Sequence, residues 1–301
     1  MNTVVVPLPG NMALATSVAA QLGATLGELT VHTFPDKETY VRLDTPVTGR
    51  EVIMVCTLDR PDEKFLPLAF TASAAKQLGA ARVGLIAPYL GYLRQDTRFK
   101  SGEGITSATF GGLLSQAVDW IVTVDPHLHR YRALSEIYAI PCHVVHAAPL
   151  LAQWIKTRIS MPLLIGPDSE SLQWVSAVAA AADAPYLVLE KTRYGDHDVR
   201  IAVPHVERWR ARTPVLVDDI ISTGRTMIET IIHLKRAGLC APVCLGVHAV
   251  MAGNAYENLL AAGAAERVTC NTISHASNGI DVSSVIAAAL PTLSWRAPGQ
   301  R

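Results

Sequence analysis

Short apolar runs alternate with segments whose apolar residues recur at helical spacing along most of the chain. The apolar runs predict buried strands at 52–57, 83–88, 120–124, 163–165, 186–189, 215–217, 243–247 and 267–270. The intervening segments predict helices at 63–78, 106–117, 172–182, 227–237 and 255–262. Glycine, the commonest residue just past a helix end, follows three of them at Gly79, Gly238 and Gly263. The alternation predicts an α/β protein whose parallel sheets are covered by helices on both faces.

The alternation of strands and helices runs through the chain twice, although no residue-level repeat accompanies it. Each half contains several strand–helix units and an acidic strand end, and Pro149 lies between the two halves. We therefore predict two tandem domains, 1–148 and 149–301, each with a mainly parallel sheet flanked by helices. The stretch 30–43 departs from this rhythm, because its short strands around a proline-containing turn are typical of a hairpin.

The composition indicates a globular protein with a large core. Half of the 301 residues are hydrophobic and only 17% are charged. Lysine and arginine together number 26, as do aspartate and glutamate, so we expect no nucleic-acid or membrane partner. No apolar run approaches the ~20 residues of a membrane span, and the N-terminal residues do not resemble a signal peptide. The five scattered cysteines favour reduced thiols, and we expect a cytoplasmic protein.

The stretch PVLVDDIISTGRTM, residues 214–227, is the strongest indication of chemistry. A predicted strand leads into Asp218 and Asp219, and small polar residues then surround Gly224 before a helix begins. A helix N-terminus binds anions through its N–H groups and dipole, and glycine lets the backbone approach a ligand closely. Further donors are supplied by Ser222, Thr223, Arg225 and Thr226. The pattern predicts a pentose 5-phosphate site, with sugar hydroxyls on the aspartates; the alternative, a helix cap, requires only one such hydroxyl residue.

Two other groups of polar residues are candidates for phosphate binding. Arg94 and Arg98 suit bidentate phosphate contacts, and Gln95 can donate amide hydrogen bonds, although a solvated loop is the alternative. Lys191 and Arg193 are two residues apart and are expected on one face of a strand. Two cations on one face favour an anion such as a polyphosphate between them; the alternative is an exposed edge strand with protective charges.

Two further motifs have a functional and an ordinary structural interpretation. His127 and His129 raise a zinc hypothesis, but no other ligands lie at zinc spacing, and solvated or buried histidines are commoner. In the predicted hairpin, Phe34 offers an aromatic face, and Asp36 and Glu38 offer hydrogen-bond acceptors, which together suit an adenine ring. Taken alone, these three residues are better explained by an ordinary hairpin turn.

The loop sequence VLVDDIISTGRTM resembles the phosphoribosyl diphosphate (PRPP) binding loop of type I phosphoribosyltransferases and of PRPP synthases. That motif does not separate the two classes, but five other segments resemble PRPP synthase in the same order along the chain. They are FPDKETYVRL (34–43), APYLGYLRQDTRFKSGEGITSATFGGLL (87–114), TVDPHLH (123–129), LIGPDSES (164–171) and LEKTR (189–193). The chain is thereby identified as a member of the ribose-phosphate pyrophosphokinase (PRPP synthase) family with two phosphoribosyltransferase-like domains.

The resemblance implies that the chain converts ATP and ribose 5-phosphate to PRPP and AMP by diphosphoryl transfer. It implies catalysis by Lys191 and Arg193, and Mg²⁺ at His127 and Asp168. It implies ATP binding by Phe34, Asp36, Glu38, Arg94 and Gln95. It implies ribose 5-phosphate binding by Asp218, Asp219, Ser222, Thr223, Gly224, Arg225 and Thr226. Because the family's hairpin contacts the nucleotide of a neighbouring subunit, a dimer-based homo-oligomer, up to a hexamer, is expected.

The sequence also departs from the family pattern, which indicates a divergent branch. Lys37 and Arg225 stand where the family usually has glycine, and PDSES at 167–171 replaces a more glycine-rich turn. Two alternatives to the synthase therefore stay open. A non-catalytic regulatory subunit is disfavoured because the charged centre is retained, and a PRPP-consuming phosphoribosyltransferase is disfavoured by the ATP-like segments in the first half.

Overall fold

The computed structural model describes residues 2–168, 171–189, 191–194, 198–201 and 206–290; for 191–194, 198–201, 206 and 207 it describes the backbone alone. Within these residues the chain forms sixteen strands: β1 (Thr3–Pro7), β2 (Thr25–Leu26), β3 (Leu29–Thr33), β4 (Thr39–Leu43), β5 (Glu51–Val55), β6 (Arg82–Ile86), β7 (Trp120–Val124), β8 (Cys142–Val145), β9 (Pro162–Gly166), β10 (Tyr186–Val188), β11 (Lys191–Tyr194), β12 (Asp198–Ile201), β13 (Thr213–Ile221), β14 (Val243–Ala249), β15 (Glu266–Cys270) and β16 (Asn278–Ile280). The same residues form eight α-helices: α1 (Met12–Leu22), α2 (Pro61–Gln77), α3 (Thr106–Ala117), α4 (Ala148–Arg158), α5 (Leu172–Ala182), α6 (Arg225–Arg236), α7 (Ala255–Ala262) and α8 (Ser283–Ala289).

The chain divides into two compact units, and each is built on one sheet. The first unit runs to Val145 and takes the chain back from Ser283, whereas the second spans His146–Val282. The first sheet has the strand order β2-β1-β5-β6-β7-β8, and the second has the order β10-β9-β13-β14-β15-β16. Every pairing within both sheets is parallel. The predicted α/β class with two mainly parallel sheets is confirmed.

This division differs from the predicted domains, 1–148 and 149–301, at two places. Pro149 lies in the first turn of α4, where its missing N–H costs no helical hydrogen bond, so it marks the start of a helix and not a linker. Near the C-terminus, α8 packs on α1 and on the edge of the first sheet. Its buried Ile286 and the hydrogen bond from Gln21 Nε2 to Ser283 Oγ, 2.7 Å long, tie it to the first unit.

Each sheet builds its core from residues on successive strands and from the inner faces of its helices. In the second unit, Leu216 on β13 packs in one cluster with Met227 and Ile231 on α6. The parallel strands are buried on both faces, which explains why they have continuous apolar runs in the sequence. The three glycines that were predicted to end helices all have positive φ angles, as the left-handed end of a helix requires.

Two small antiparallel pairs lie outside the two sheets. Strands β3 and β4 pair antiparallel around a turn at 34–38, so the predicted hairpin is confirmed. Strands β11 and β12 form the other pair, with Lys191 opposite Ile201 and Arg193 opposite Val199. A membrane-crossing helix would need to be longer and more apolar than any helix in the described part of the chain.

Candidate active site

Strand β13 carries both aspartates of the predicted phosphate site. The prediction ended this strand at 217, but the structure continues it through Asp218 and Asp219 to Ile221. The strand tolerates them because each carboxylate accepts the next backbone N–H: Asp218 Oδ1 from Asp219 at 3.1 Å and Asp219 Oδ1 from Ile220 at 2.8 Å. The aspartates therefore belong to the rigid sheet and not to the loop that follows.

The electrostatics of the aspartates depend on their burial. Asp219 is only 5% exposed, and Asp218 is half-buried. Burial raises the pKa of Asp218 well above its ordinary value, and the negative charges of Asp219 and Asp168 raise it further. Three carboxylates within electrostatic reach of one another favour a ligand that brings positive charge or hydrogen-bond donors.

The loop after β13 encloses a small cavity next to Asp218. The cavity has a volume of about 110 Å³, and it is lined by Asp218, Ile220, Ile221, Ser222, Thr223, Gly224, Arg225, Thr226 and Met227. The loop is anchored because the carbonyl oxygens of Ile221 and Ser222 accept N–H groups from Met251 and Ala252, at 2.8 and 3.1 Å. All five predicted loop residues, 222–226, therefore line one cavity.

Helix α6 begins at the far side of this cavity, two residues earlier than predicted. Gly224 caps it with φ of 69°, and a Cβ atom there would lie 3.4 Å from Leu259 Cγ. Arg225 and Thr226 are the first helical residues, whose N–H groups have no acceptor within the helix. Such an N-terminus suits a phosphate, and a volume of this size is appropriate for a phosphate group.

Asp168 belongs to the same group of carboxylates. It follows β9, which pairs with β13 in the sheet, and its Oδ1 accepts the N–H of Ser171 at 3.3 Å. Its charge acts on the pKa of Asp218, so the structure brings the predicted metal ligand and the predicted sugar ligand together. Within the residues that the structure describes, no three His, Cys, Asp or Glu side chains are arranged to hold a metal ion by themselves.

In the first unit, two of the predicted ATP residues, Arg94 and Gln95, follow β6. Thr106 Oγ1, at the start of α3, donates to Gln95 Oε1 at 3.1 Å, and the Ser107 N–H donates to the Gln95 carbonyl at 3.3 Å. These bonds fix the orientation of Gln95, while the neighbouring Arg94 is exposed and able to contact a ligand. His127 lies half-buried in the loop after β7.

The structure also reveals a charged pair that the sequence analysis missed. Asp96 follows directly on Gln95, and its carboxylate accepts a bond from Arg130 Nη1 at 2.7 Å. The Asp96 side chain is 1% exposed, although the sequence around it looks like a solvated polar loop. The one local indication of this pair is the position of Asp96 between Arg94 and Arg98 in the sequence. Its partner Arg130 is 34 residues away and cannot be found from sequence spacing.

The hairpin places its three predicted residues in or beside the turn. Phe34 is 43% exposed, and its ring packs edge-on against His32 with centroids 5.0 Å apart. Asp36 Oδ1 accepts the N–H of Glu38 at 3.1 Å, so this carboxylate also shapes the turn. Lys37 has φ of 76°, a left-handed conformation that explains why glycine suits this position.

Two predicted residues have no described side chains. Lys191 and Arg193 lie on β11, where the structure describes the backbone only, and their catalytic role stays a prediction. For the rest, the second unit brings Asp168, Asp218, Asp219 and the loop together, and the first unit brings the segment of Arg94 and Gln95 close to that of His127.

Comparison with known proteins assigns the family. One family model, the N-terminal domain of ribose phosphate pyrophosphokinase, matches residues 3–117, and the phosphoribosyl transferase domain matches 133–285. Curated ribose-phosphate pyrophosphokinases from Saccharolobus solfataricus and Sulfurisphaera tokodaii are 34% and 32% identical over 85% and 84% of this chain. These matches cover 89% and 88% of the relatives' own lengths. The chain belongs to the ribose-phosphate pyrophosphokinase family.

A solved structure agrees with this assignment at the level of the fold. Phosphoribosylpyrophosphate synthetase from Mycobacterium smegmatis matches with a TM-score of 0.83, covering 97% of this chain and 99% of that chain at 24% identity. The predicted membership of the ribose-phosphate pyrophosphokinase family and the predicted pair of phosphoribosyltransferase-like domains are both confirmed. The individual site residues are not tested by these matches.

Proposed function

We propose that this chain is a ribose-phosphate diphosphokinase, which transfers the β,γ-diphosphoryl group of ATP to the 1-hydroxyl of ribose 5-phosphate. The products are PRPP and AMP. The observation that carries this proposal is the aspartate pair on β13: half-buried Asp218 lines the cavity of about 110 Å³ at the start of α6, and buried Asp219 lies next to it in the strand. A sugar phosphate carries both hydroxyl donors and a terminal anion, so one ligand accounts for both features.

In the proposed complex, the second unit holds the sugar. The phosphate lies in the loop formed by Ser222, Thr223, Gly224, Arg225 and Thr226, where N–H and hydroxyl groups donate to it. Asp218 and Asp219 accept hydrogen bonds from the 2- and 3-hydroxyls. Because both aspartates belong to the sheet, they fix the ring and so aim the 1-hydroxyl at the reacting phosphorus.

The nucleotide is proposed to bind the first unit. Arg94 and Gln95 contact the phosphates, while Phe34, Asp36 and Glu38 of the hairpin contact the adenine. The exposed Phe34 ring suits contact with a nucleotide in a neighbouring subunit, so we also propose a homo-oligomer built from dimers. Lys191 and Arg193 meet the charge that develops on the diphosphoryl group as its bond to AMP breaks.

His127 and Asp168 are the proposed magnesium-binding residues. The cluster of carboxylates around Asp168 fits a divalent cation, because oxygen ligands suit Mg²⁺ and because the charges of Asp219 and Asp168 add to the effect of burial in raising the pKa of Asp218. Mg²⁺ commonly binds one or two protein ligands together with waters and substrate phosphates, which agrees with the lack of a closed protein site among the described residues. When bound, Mg²⁺ would neutralise phosphate charge during transfer.

The test is AMP release from the purified protein with ATP, Mg²⁺ and ribose 5-phosphate, omitting each in turn. We expect AMP only when all three are present. ADP in place of AMP would contradict the reaction, because it indicates transfer of a single phosphoryl group. Binding of both substrates without turnover would indicate a regulatory subunit, and PRPP consumption with a nucleobase would indicate a phosphoribosyltransferase.

A further inference from the structure

The buried carboxylate of Asp96 joins two segments that lie far apart in the sequence. It lies in an irregular stretch between β6 and α3, with exposed Arg94 and Arg98 two residues away on either side. Its own side chain is 1% exposed, so the chain turns this acid inward while both arginines face water. A carboxylate that is withdrawn from water requires hydrogen-bond or charged partners, and all those described lie on the segment after β7.

Arg130 satisfies both oxygens of this carboxylate. Its Nη1 donates to Asp96 Oδ1 at 2.7 Å, and its backbone N–H donates to Oδ2 at 3.1 Å. His129 Nδ1 lies 3.8 Å from the same Oδ2, close enough for attraction when the imidazole is charged. A short charge-assisted bond together with a backbone bond fixes both the position and the direction of the residue 130 backbone.

Two further contacts support the same junction. The Arg130 guanidinium also lies over the Phe99 ring, with its central carbon 5.3 Å from the ring centroid. Tyr131, the next residue, has its hydroxyl 3.3 Å from Ser107 Oγ on α3. The segment 129–131 is thus held at three places by the stretch that runs from Asp96 into α3, while His127 lies only three residues before Arg130.

We propose that Asp96 and Arg130 are positioning residues that hold the nucleotide-binding segment against the segment of His127. The proposal rests on the proposed function, in which Arg94 and Gln95 contact the ATP phosphates and His127 contributes to the magnesium site. Asp96 is adjacent to Gln95 in sequence, so a bond from Asp96 to Arg130 fixes the separation of these groups. Neither residue touches substrate; both act through the backbone that they hold.

The test measures nucleotide binding and not turnover. α,β-Methylene-ATP, whose α–β bond cannot be cleaved by transfer, is titrated with Mg²⁺ into the full chain and followed by calorimetry. Asp96→Asn keeps the shape but removes the charge, and we expect about a tenfold rise in the nucleotide Kd. The Kd for ribose 5-phosphate, whose proposed site is in the second unit, should stay within about twofold of wild type.

Asp119→Asn is the matched control. Asp119 also accepts a backbone N–H, from Val83 at 2.8 Å, and pairs with Lys76 at 3.2 Å, but it precedes β7 and so lies at the opposite end of the strands. Its variant should bind α,β-methylene-ATP as wild type does. A nucleotide Kd for Asp96→Asn within twofold of wild type, or an equal change in Asp119→Asn, would overturn the proposal.

Arg130 supplies a second variant in case Asp96→Asn does not fold. The Arg130 side chain is 46% exposed, and Arg130→Leu keeps the backbone N–H that donates to Asp96 Oδ2, so this variant removes only the side-chain half of the junction and leaves the buried carboxylate one hydrogen-bond partner. We expect a nucleotide Kd several times that of wild type for Arg130→Leu, and an intermediate Kd for Arg130→Lys. Because both changes break the same junction, the double variant of Asp96→Asn and Arg130→Leu should bind the nucleotide no more weakly than the more affected of the two single variants. Equal Kd values for Arg130→Leu and wild type would contradict the proposal. If wild type itself fails to bind the nucleotide, the proposed function fails first.

Discussion

Asp218 illustrates how a residue proposed to bind a ligand can weaken the fold that carries it. Its pKa is raised by burial and by the charges of Asp219 and Asp168, so this carboxyl group ionises less readily in the folded protein than in the unfolded chain. Between the ordinary carboxyl pKa and the raised one, the folded state binds more protons, and the free energy of unfolding therefore falls as pH rises. The ligand-free protein tolerates this destabilisation, which a bound sugar or cation would relieve.

Asp218→Asn should therefore stabilise the ligand-free protein at neutral pH. The amide cannot ionise, so the rise in the free energy of unfolding should be largest at neutral pH and disappear near pH 4. Urea denaturation in EDTA across this range measures the effect, and ribose 5-phosphate affinity should fall in the same variant. A variant less stable than wild type at pH 7 would show that the carboxylate stabilises the folded state.

The pKa of Asp44 is shifted in the opposite direction to that of Asp218, so its effect on stability should have the opposite pH dependence. A hydrogen bond from Thr30 and another from Arg42 lower the pKa of Asp44, so its contribution to stability is present above the unfolded carboxyl pKa and is lost as pH falls. Asp44→Asn should thus be slightly destabilising at pH 7 and neutral in acid. The same denaturation series measures both variants. If Asp44→Asn and Asp218→Asn changed the free energy of unfolding at pH 7 in the same direction, both explanations would be contradicted.

Lys191 is the residue whose removal tests the chemistry most directly. If it meets the developing charge on the diphosphoryl group, Lys191→Ala should lower kcat by roughly 10²–10³-fold while the thermal transition stays in place. Lys235→Ala, an exposed lysine in the last turn of α6, is the control and should keep the wild-type rate. A Lys191→Ala rate near that of wild type would exclude the assigned role.

The sequence indicates candidate site residues most clearly where polar side chains are concentrated in one short segment. The loop 222–226 and the aspartates before it were proposed because their order along the chain matches one ligand, and the structure places the loop and Asp218 around one cavity, with Asp219 next to Asp218 in β13. Asp96 was not found, since its burial depends on Arg130, which the fold brings to it from 34 residues away. Local pattern indicates ligand-binding groups more readily than it indicates the residues that position them.

At the scale of elements, apolar pattern located the strands and helices better than it located their ends. Helices α3, α5 and α7 have the predicted bounds. Strand β13 is longer than predicted because carboxylates that bond to the backbone can stay in a strand. The predicted elements did not include strands β1, β2, β8 and β16 or helices α1, α4 and α8. Of these, β2 and β16 are too short to define a period.

Two adjacent glycines in α3 give a matched test of packing at an element. A Cβ atom on Gly111 would lie 2.6 Å from Ile137 Cγ2 and 2.7 Å from the Ile137 carbonyl oxygen, whereas nothing lies within 4 Å of one on Gly112. Gly111→Ala should therefore destabilise the protein by about 2 kcal/mol, because the helix must move away from the 137 backbone. Gly112→Ala should stabilise it by up to about 1 kcal/mol through helix propensity.

Urea denaturation of the two variants measures the difference. Both variants add one methyl group at neighbouring positions of the same helix. A difference in their stability therefore cannot come from the type of substitution or from its position along the helix. A loss of stability in Gly112→Ala, or none in Gly111→Ala, would show that the close approach of α3 to Ile137 is not what requires glycine.

At the scale of the whole molecule, the chain does not fold as two successive halves. The alternation of strands and helices indicated two α/β domains, but it could not show that α8, the last described helix, returns to the first unit. That helix has seven residues and no charged residue in its first or last turn, so its partner could not be inferred from charge or period. The return means that residues from both ends of the chain stabilise the unit proposed to bind the nucleotide.

Hydrogen exchange should reveal this arrangement. Ile286 on α8 is completely buried, and Ile286→Ala should cost about 3 kcal/mol, as cavity-forming substitutions of this kind do. Because α8 packs on α1, the lost protection should appear at amides of β1, β7 and β8 in the first unit. Amides of β13 and β14 should keep theirs. Ile231→Ala on α6, equally buried, should give the reverse pattern. Loss of protection confined to β13 and β14 in Ile286→Ala would place α8 with the second unit, as the sequence alone suggested.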